Sequence, residues 1–516
     1  MGQLSAQAAA LLHADTARAN ANVSLLHIFD QSSAPGGVVR FKSVLAQIEG
    51  RLNLAPLFRQ RLQRLPGAGL GLDRPHWVAD PQFDLEYHVR HIALPKPGDW
   101  RQFCIQVARI HSRALDLERP LWEAYVIEGL DSFLDLPSGS FALLFKTHLA
   151  AVGLSQLGAL SALLCDDPAG GQAAGTAWLA DAAPAGTGRL TRGLLKAAGT
   201  PLRLLGLARP LAGMAARLAP AAMALANEAL LRPGDLPATR FNAVVSPHRV
   251  FETRRFAEAE FAAICGLVKG ARIDDAVLAV CGGALRRYLG ANAELPAEHS
   301  LVAVVSSAGS VDAAWRAMPL GTDIADPVKR LAMLAAFAAA RGADAAVAPA
   351  GTSVGDGASA ASAAVLAWAR RAGFPSALWS PPANCSLSAI TLLDPPAAAA
   401  RQRSLCGARL TYFSAVLPIS DGLGLAIAVS RCDGRIVVSP TSCRELLPDP
   451  EVFAQCLRDS FQEFLALAQD RPVRVRAKPL AAALAPAARR RAGPGVKSAR
   501  PGASATGRPR RARPLA

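Results

Sequence analysis

Apolar residues recur along this chain at two periods, and together they predict strands alternating with helices. Phe141-Ala-Leu-Leu-Phe-Lys-Thr-His148 is apolar almost without a break, which reads as a buried strand, and the residues after Gly153 read as a helix. Asn22-Val-Ser-Leu-Leu-His-Ile-Phe29 alternates well enough for another strand, behind a short amphipathic helix that starts near Leu4-Ser5. A helix is expected at about 41–54, and the basic stretch Arg59-Gln-Arg-Leu-Gln-Arg64 reads as a solvated helix face rather than a phosphate patch. Further on, 301–307 and 408–419 read as strands, and 424–443 as a hairpin turning at Asp433-Gly434. Helices are expected at 258–269, 274–289 and 450–468, where apolar residues recur three and four apart.

Composition narrows the class. With 516 residues the chain has room for two to four domains, and its 51% apolar content with few aromatics suits a helix-rich α/β protein. Its formal charge of +16 is unevenly spread: residues 471–516 hold thirteen Lys/Arg and no acid, leaving about +3 for the first 470. The basic balance therefore describes a tail, expected to be disordered and able to bind anionic lipid, and does not imply specific nucleic-acid recognition. Nine cysteines without a CxxC spacing or a nearby His pattern fit a reducing cytoplasm and exclude a sequence-evident zinc site. His88 and His91 lie three apart but lack companion ligands. Neither a leader peptide nor an apolar window long enough to span a bilayer is legible.

Two stretches are low in complexity. Residues 168–239 are rich in Ala, Gly and Pro, and the basic-and-leucine runs 189–196 and 201–209 suit either an interfacial amphipathic helix or a helix packed on the protein's own core. Within 338–364, Gly351-Thr-Ser-Val-Gly355 matches GxSxG formally, but no strand precedes it, so a nucleophile elbow is not expected.

One ordered series of motifs is specific. Pro75-His-Trp-Val78, Asp80-Pro81, Phe83-Asp-Leu85 and Tyr87-His-Val-Arg-His91 are followed by His111-Ser112, Leu115-Asp116 and Glu118-Arg-Pro-Leu-Trp-Glu123. The apolar strand ending in a histidine loop comes next. After the middle of the chain, Phe241-Asn-Ala-Val-Val-Ser-Pro-His248-Arg249, Asp274-Asp-Ala-Val-Leu-Ala279 and Leu446-Leu-Pro-Asp449 continue the series. In this order they resemble the bacterial wax ester synthase/acyl-CoA:diacylglycerol acyltransferase (WS/DGAT) family over roughly residues 4–468. The resemblance implies two condensation-domain-like α/β halves around a central tunnel. The corresponding boundaries are 1–167 for the N-terminal half, 168–239 for a linker, 240–470 for the C-terminal half and 471–516 for the basic tail. It also implies an enzyme that esterifies a long-chain alcohol or diacylglycerol with acyl-CoA as co-substrate and no other cofactor, working in the cytoplasm or peripherally on the inner membrane or lipid inclusions.

Acyl transfer to a hydroxyl needs a base for the alcohol proton and donors for the developing oxyanion. The family places its base in HHxxxDG, whereas Lys146-Thr-His148-Leu-Ala-Ala-Val-Gly153-Leu-Ser155 is one residue short of that pattern and lacks its aspartate. Anchored on Gly153 and Ser155, His148 takes the position of the second, catalytic histidine; anchored on Lys146, Leu149 falls there instead. The first anchor is preferred because it keeps the spacing from His148 to the helix start. His148 is thus the expected base, with Thr147, Gly153, Asp274 and Asp275 as supporting or substrate-contacting positions. Asp274 stands where the family has Asn, which is expected to put an extra carboxylate near the site. The alternative reading is a catalytically inactive relative that binds acyl chains or lipid-inclusion surfaces.

Overall fold

The computed structural model describes residues 2–63, 75–132, 136–137, 139–166, 236–306, 316–344, 383–390 and 403–470. The runs at 189–209, the GxSxG match and the basic tail lie outside these.

The first sheet grows around the two strands read most plainly from the sequence. Strand β1 (Asn22–Asp30) lies antiparallel to β6 (Ser140–His148), and every residue of both is buried. That double burial accounts for their unbroken apolar character. On one face, Val23, Leu25, Phe141, Leu143 and Phe145 enter the main core; on the other, Leu26, Ile28, Ala142 and Leu144 meet helix α4 (Trp100–Ser112). Beyond β6 come β5 (Trp122–Leu130), antiparallel, and β4 (Val89–Ala93), parallel to β5. The other flank of β1 is taken by a segment far along the chain: β13 (Ala408–Val416) pairs antiparallel with β1, and the short β12 (Ser404–Leu405) closes that edge.

Helix α1 (Ala6–Ala14) starts on Ser5, whose hydroxyl accepts the Ala8 N–H, and stops at Asp15. Helix α2 (Phe41–Arg51) buries Val44 and Ile48, and α5 (Leu157–Leu164) follows the histidine loop as expected. As far as it is described (residues 59–63), the basic stretch is not a helix face. Gln60–Gln63 forms strand β2, paired with β3 (His76–Ala79), because Leu62 is the buried member of an alternating run. The four-residue α3 (Leu85–His88) leads into β4.

A second sheet has the order β10-β9-β11-β14-β15-β7. Its strands are β7 (Arg249–Phe251), β8 (Arg254–Ala257), β9 (Val302–Ser306), β10 (Arg316–Pro319), β11 (Cys385–Ile390), β14 (Ala426–Cys432) and β15 (Arg435–Cys443), with β8 also pairing with β15. Strand β11 runs parallel to both neighbours. The β14–β15 hairpin turns at Asp433 (φ 51°) and Gly434 (φ 67°), the left-handed pair that a tight two-residue turn demands. Helices α6 (Glu258–Cys265), α7 (Ile273–Ala291), α8 (Pro327–Asp344) and α9 (Pro450–Gln469) supply apolar residues to the same core. Strand β13 is tied to this layer too: Ser414 and Ser439 hydroxyls bond at 2.5 Å, Ser430 donates to Phe413 O at 2.7 Å, and Tyr412 meets Thr253. Residues Met1–Asp470 form one compact unit, in which no described helix is long and apolar enough to cross a membrane.

Candidate active site

His148 is the last residue of β6, opposite Asn22 of β1. Successive strand side chains face opposite ways, so His148 shares the α4 face with Leu144 and Lys146 while Thr147 points to the other. Two adjacent histidines could not both have occupied one face, and the shortened motif keeps a single one. The backbone turns back at once: His148 O accepts the N–H groups of Ala151 and Val152, and Leu149 N–H donates to Ala21 O.

The imidazole is 1% exposed and satisfied at both nitrogens. Ala150 N–H donates to Nδ1 at 3.0 Å, and Nε2 lies 2.9 Å from Oδ2 of Asp15. Asp15 caps the end of α1, and its other oxygen accepts Ala21 N–H at 2.9 Å. Thr16 knits the same loop by accepting the Arg18 and Ala19 N–H groups. A short loop tied by its own side chains thus brings a carboxylate onto the histidine.

Asp15 of that pair lines a cavity of about 520 Å³, within the range of small-ligand sites. The lining is largely apolar and comes from both halves: Leu11, Leu149 and Leu154 from one, Val244, Ile419 and Leu423 from the other. Asp15, Ser386 and Ser388 add polar groups, and Arg18 meets Asp421 across the lining at 2.9 Å. Leu149 lines this space; His148 lies behind Asp15.

The remaining sequence candidates do not line the cavity. Thr147 is buried and donates its hydroxyl to Leu121 O at 2.9 Å. Gly153 starts the turn before α5, donating its N–H to Gln156 Oε1 at 3.1 Å. Asp275 is buried but acts within α7, accepting Arg272 N–H at 2.9 Å. The expectation for Asp274 is corrected: its carboxylate is 65% exposed and pairs with Arg431 at 3.4 Å, so it is solvated and creates no desolvation problem at the site. His88 and His91 are accounted for locally, the first donating to Trp122 O at 2.7 Å, the second stacking on Phe41 and meeting Glu128 at 3.1 Å. Among the described residues no group of three or more His, Cys, Asp or Glu converges where a metal could sit.

Behind the pair lies a second polar layer. Lys146 is fully buried, donating to Ile110 O at 3.1 Å and to Arg113 O, with Glu123 at 3.8 Å. Burial, only partly offset by Glu123, pushes its ammonium down to about 8. Asn22 donates to Arg113 O, and Ser24 meets His111 Nδ1 at 2.9 Å, so the end of α4 is moored to the strands that carry the site.

Two sheets bridged by the side chains of β13, with a histidine-bearing strand end backing the wall of an apolar cavity, frame an acyltransferase of the mixed α/β class. In fold the chain is similar to the wax ester synthase/diacylglycerol acyltransferase of Marinobacter aquaeolei VT8 (TM-score 0.62, 23% identity, 91% of this chain and 100% of that one). It is also similar to a trichothecene 15-O-acetyltransferase from Fusarium sporotrichioides (TM-score 0.51, 11% identity, 90% and 95%). In sequence, residues 4–277 match the wax ester synthase/diacylglycerol acyltransferase catalytic domain, and 313–464 match the WS/DGAT C-terminal domain. A Mycobacterium tuberculosis protein provisionally named diacylglycerol O-acyltransferase is 30% identical over 500 residues, covering 92% of each chain. The chain belongs to the WS/DGAT family.

Asp15 was missed in the sequence. It lies 133 residues before His148, in an Ala-rich segment that carries no motif. The available signal was weak: it is the first acid of the chain, placed at a helix end shortly before the first buried strand.

Proposed function

We propose that this acyltransferase moves an acyl group from acyl-CoA to the hydroxyl of a long-chain alcohol or a diacylglycerol. The observation that carries the reading is Asp15 at the wall of an apolar cavity, bonded from behind to the buried His148. Apolar walls suit an acyl chain and a lipid alcohol. The pair offers a place for the alcohol proton, and excluding bulk water disfavours hydrolysis of the thioester. The relatives' names point to diacylglycerol as acceptor, and the family's name adds the wax-ester alcohol. Attachment to an anionic membrane or lipid inclusion through the basic residues of 471–516 belongs to the same proposal.

The test is release of free CoA thiol by the purified chain given palmitoyl-CoA with hexadecanol or a diacylglycerol, with and without anionic vesicles. Ester formation matching thiol release is expected, as is a fall of about 10²–10⁴-fold when both members of the pair are replaced in the Asp15→Ala, His148→Ala double variant. Thiol release no faster than in protein-free buffer, with acyl-CoA still bound, would leave the lipid-binding, non-catalytic reading in its place.

A further inference from the structure

We propose that Asp15, rather than His148, takes the proton of the attacking hydroxyl, and that His148 is the positioning residue that holds Asp15 against the cavity. The proposal rests on the acyl-transfer reading and assigns its proton acceptor.

The tautomer comes first. A backbone N–H can only donate, so the Ala150 N–H at 3.0 Å requires a lone pair on Nδ1 of His148. The ring proton therefore sits on Nε2 and is donated to Asp15 Oδ2 at 2.9 Å. Neither ring nitrogen has a lone pair left for an alcohol.

Access points the same way. The imidazole is 1% exposed and forms no part of the cavity lining, whereas Asp15 lines it with a side chain 21% exposed. Two donors, Ala21 N–H and His148 Nε2–H, fix the carboxylate, and each oxygen keeps a further lone pair for an incoming hydroxyl. Asp421 is the other carboxylate of the lining, but its Oδ2 is held in an ion pair by Arg18 at 2.9 Å and its Oδ1 accepts Val245 N–H at 3.0 Å. Asp15 is held instead by an imidazole nitrogen.

The step then balances. As the hydroxyl oxygen bonds to the thioester carbonyl carbon, its proton passes to Asp15. When the C–S bond breaks, Asp15 returns the proton to the departing sulfur, giving ester and CoA thiol. No further reagent is consumed.

The experiment compares wild type with Asp15→Asn, Asp15→Glu and His148→Gln for kcat with palmitoyl-CoA and hexadecanol, for the pH profile of kcat/KM, and for equilibrium binding of palmitoyl-CoA. Glutamine retains an amide N–H to donate to Asp15 and has no imidazole to titrate. Expected are a loss of at least about 10²-fold in Asp15→Asn with binding kept, partial recovery in Asp15→Glu, and turnover within about tenfold of wild type in His148→Gln with the acid limb of the profile still present. Wild-type turnover in Asp15→Asn overturns the proposal. So does a His148→Gln variant that binds palmitoyl-CoA but has lost both turnover and the acid limb. A wild type that releases no CoA overturns the acyl-transfer reading itself, and this assignment with it.

Discussion

His27 shows what a single polar side chain can cost inside a sheet that is otherwise hydrocarbon. It sits in the middle of β1 with Ser161 Oγ at 2.7 Å, Leu143 O at 3.4 Å and the Phe413 ring beside it. Complete burial pushes its imidazole down to about 3. Above pH 6.5 the ring is neutral in folded and unfolded chains alike and costs nothing. As pH falls below 6.5 the unfolded chain gains a proton that the folded one refuses, and stability is lost progressively toward pH 3. Between pH 6.5 and 4.5 this one residue should remove about 2 kcal/mol. His88 and His111 are also shifted down by burial and act in the same direction. Urea midpoints measured across this window should fall less steeply in His27→Gln than in wild type; an unchanged slope would refute the assignment. At the same scale, His148 was legible in the sequence because a histidine closing a buried apolar run is conspicuous. Asp15 was not, because nothing local records a partner brought in by the tertiary fold.

Among the elements, α7 is packed through two glycines that an isolated helix would be better without. A Cβ on Gly282 would collide with the carbonyl oxygen of Leu320, and one on Gly283 with Ser460 Oγ and the Arg330 guanidinium. Arg330 is itself 1% exposed and donates to Gly321 O at 3.1 Å and Ile324 O at 2.8 Å, so it has little room to withdraw. Gly282→Ala should therefore destabilise by roughly 1–3 kcal/mol through overpacking, despite gaining up to about 1 kcal/mol in helix propensity. Gly290, in the same helix with nothing within 4 Å of its would-be Cβ, should respond oppositely, with Ala adding about 0.5–1 kcal/mol. Thermal melts of the two variants check both signs. The helix itself was legible from its apolar spacing, as were the turn at Asp433-Gly434 and the strands at 302–306 and 408–416. The run Gln60–Gln63 was misread because its charges drew attention before its period of two. Which sheet the strand at 408–416 would join was not legible, since pairing is decided by the assembled layers.

For the molecule as a whole, that strand is decisive. β13 lies beside β1 in the first sheet and is bonded through Tyr412, Phe413 and Ser414 to the second, so one segment stitches the halves together. If 1–167 and 236–516 are produced as separate polypeptides in one cell, they should co-purify as a stable pair, while 1–167 alone should aggregate. Monomeric, folded 1–167 in solution would refute this. The aggregation follows from β1, which is apolar on both faces and would present an uncovered hydrogen-bonding edge.

The same arrangement bears on how the protein is made. Ribosomes deliver the amino end first, yet the partner for β1 is not complete until residue 416 has emerged. At about 5–20 residues per second, most of 400 residues of synthesis separates the two strands, so the nascent chain carries a sticky edge for roughly 20–80 seconds. Host cells with abundant chaperones that cover exposed strand edges during translation should therefore give better soluble yields than hosts without them.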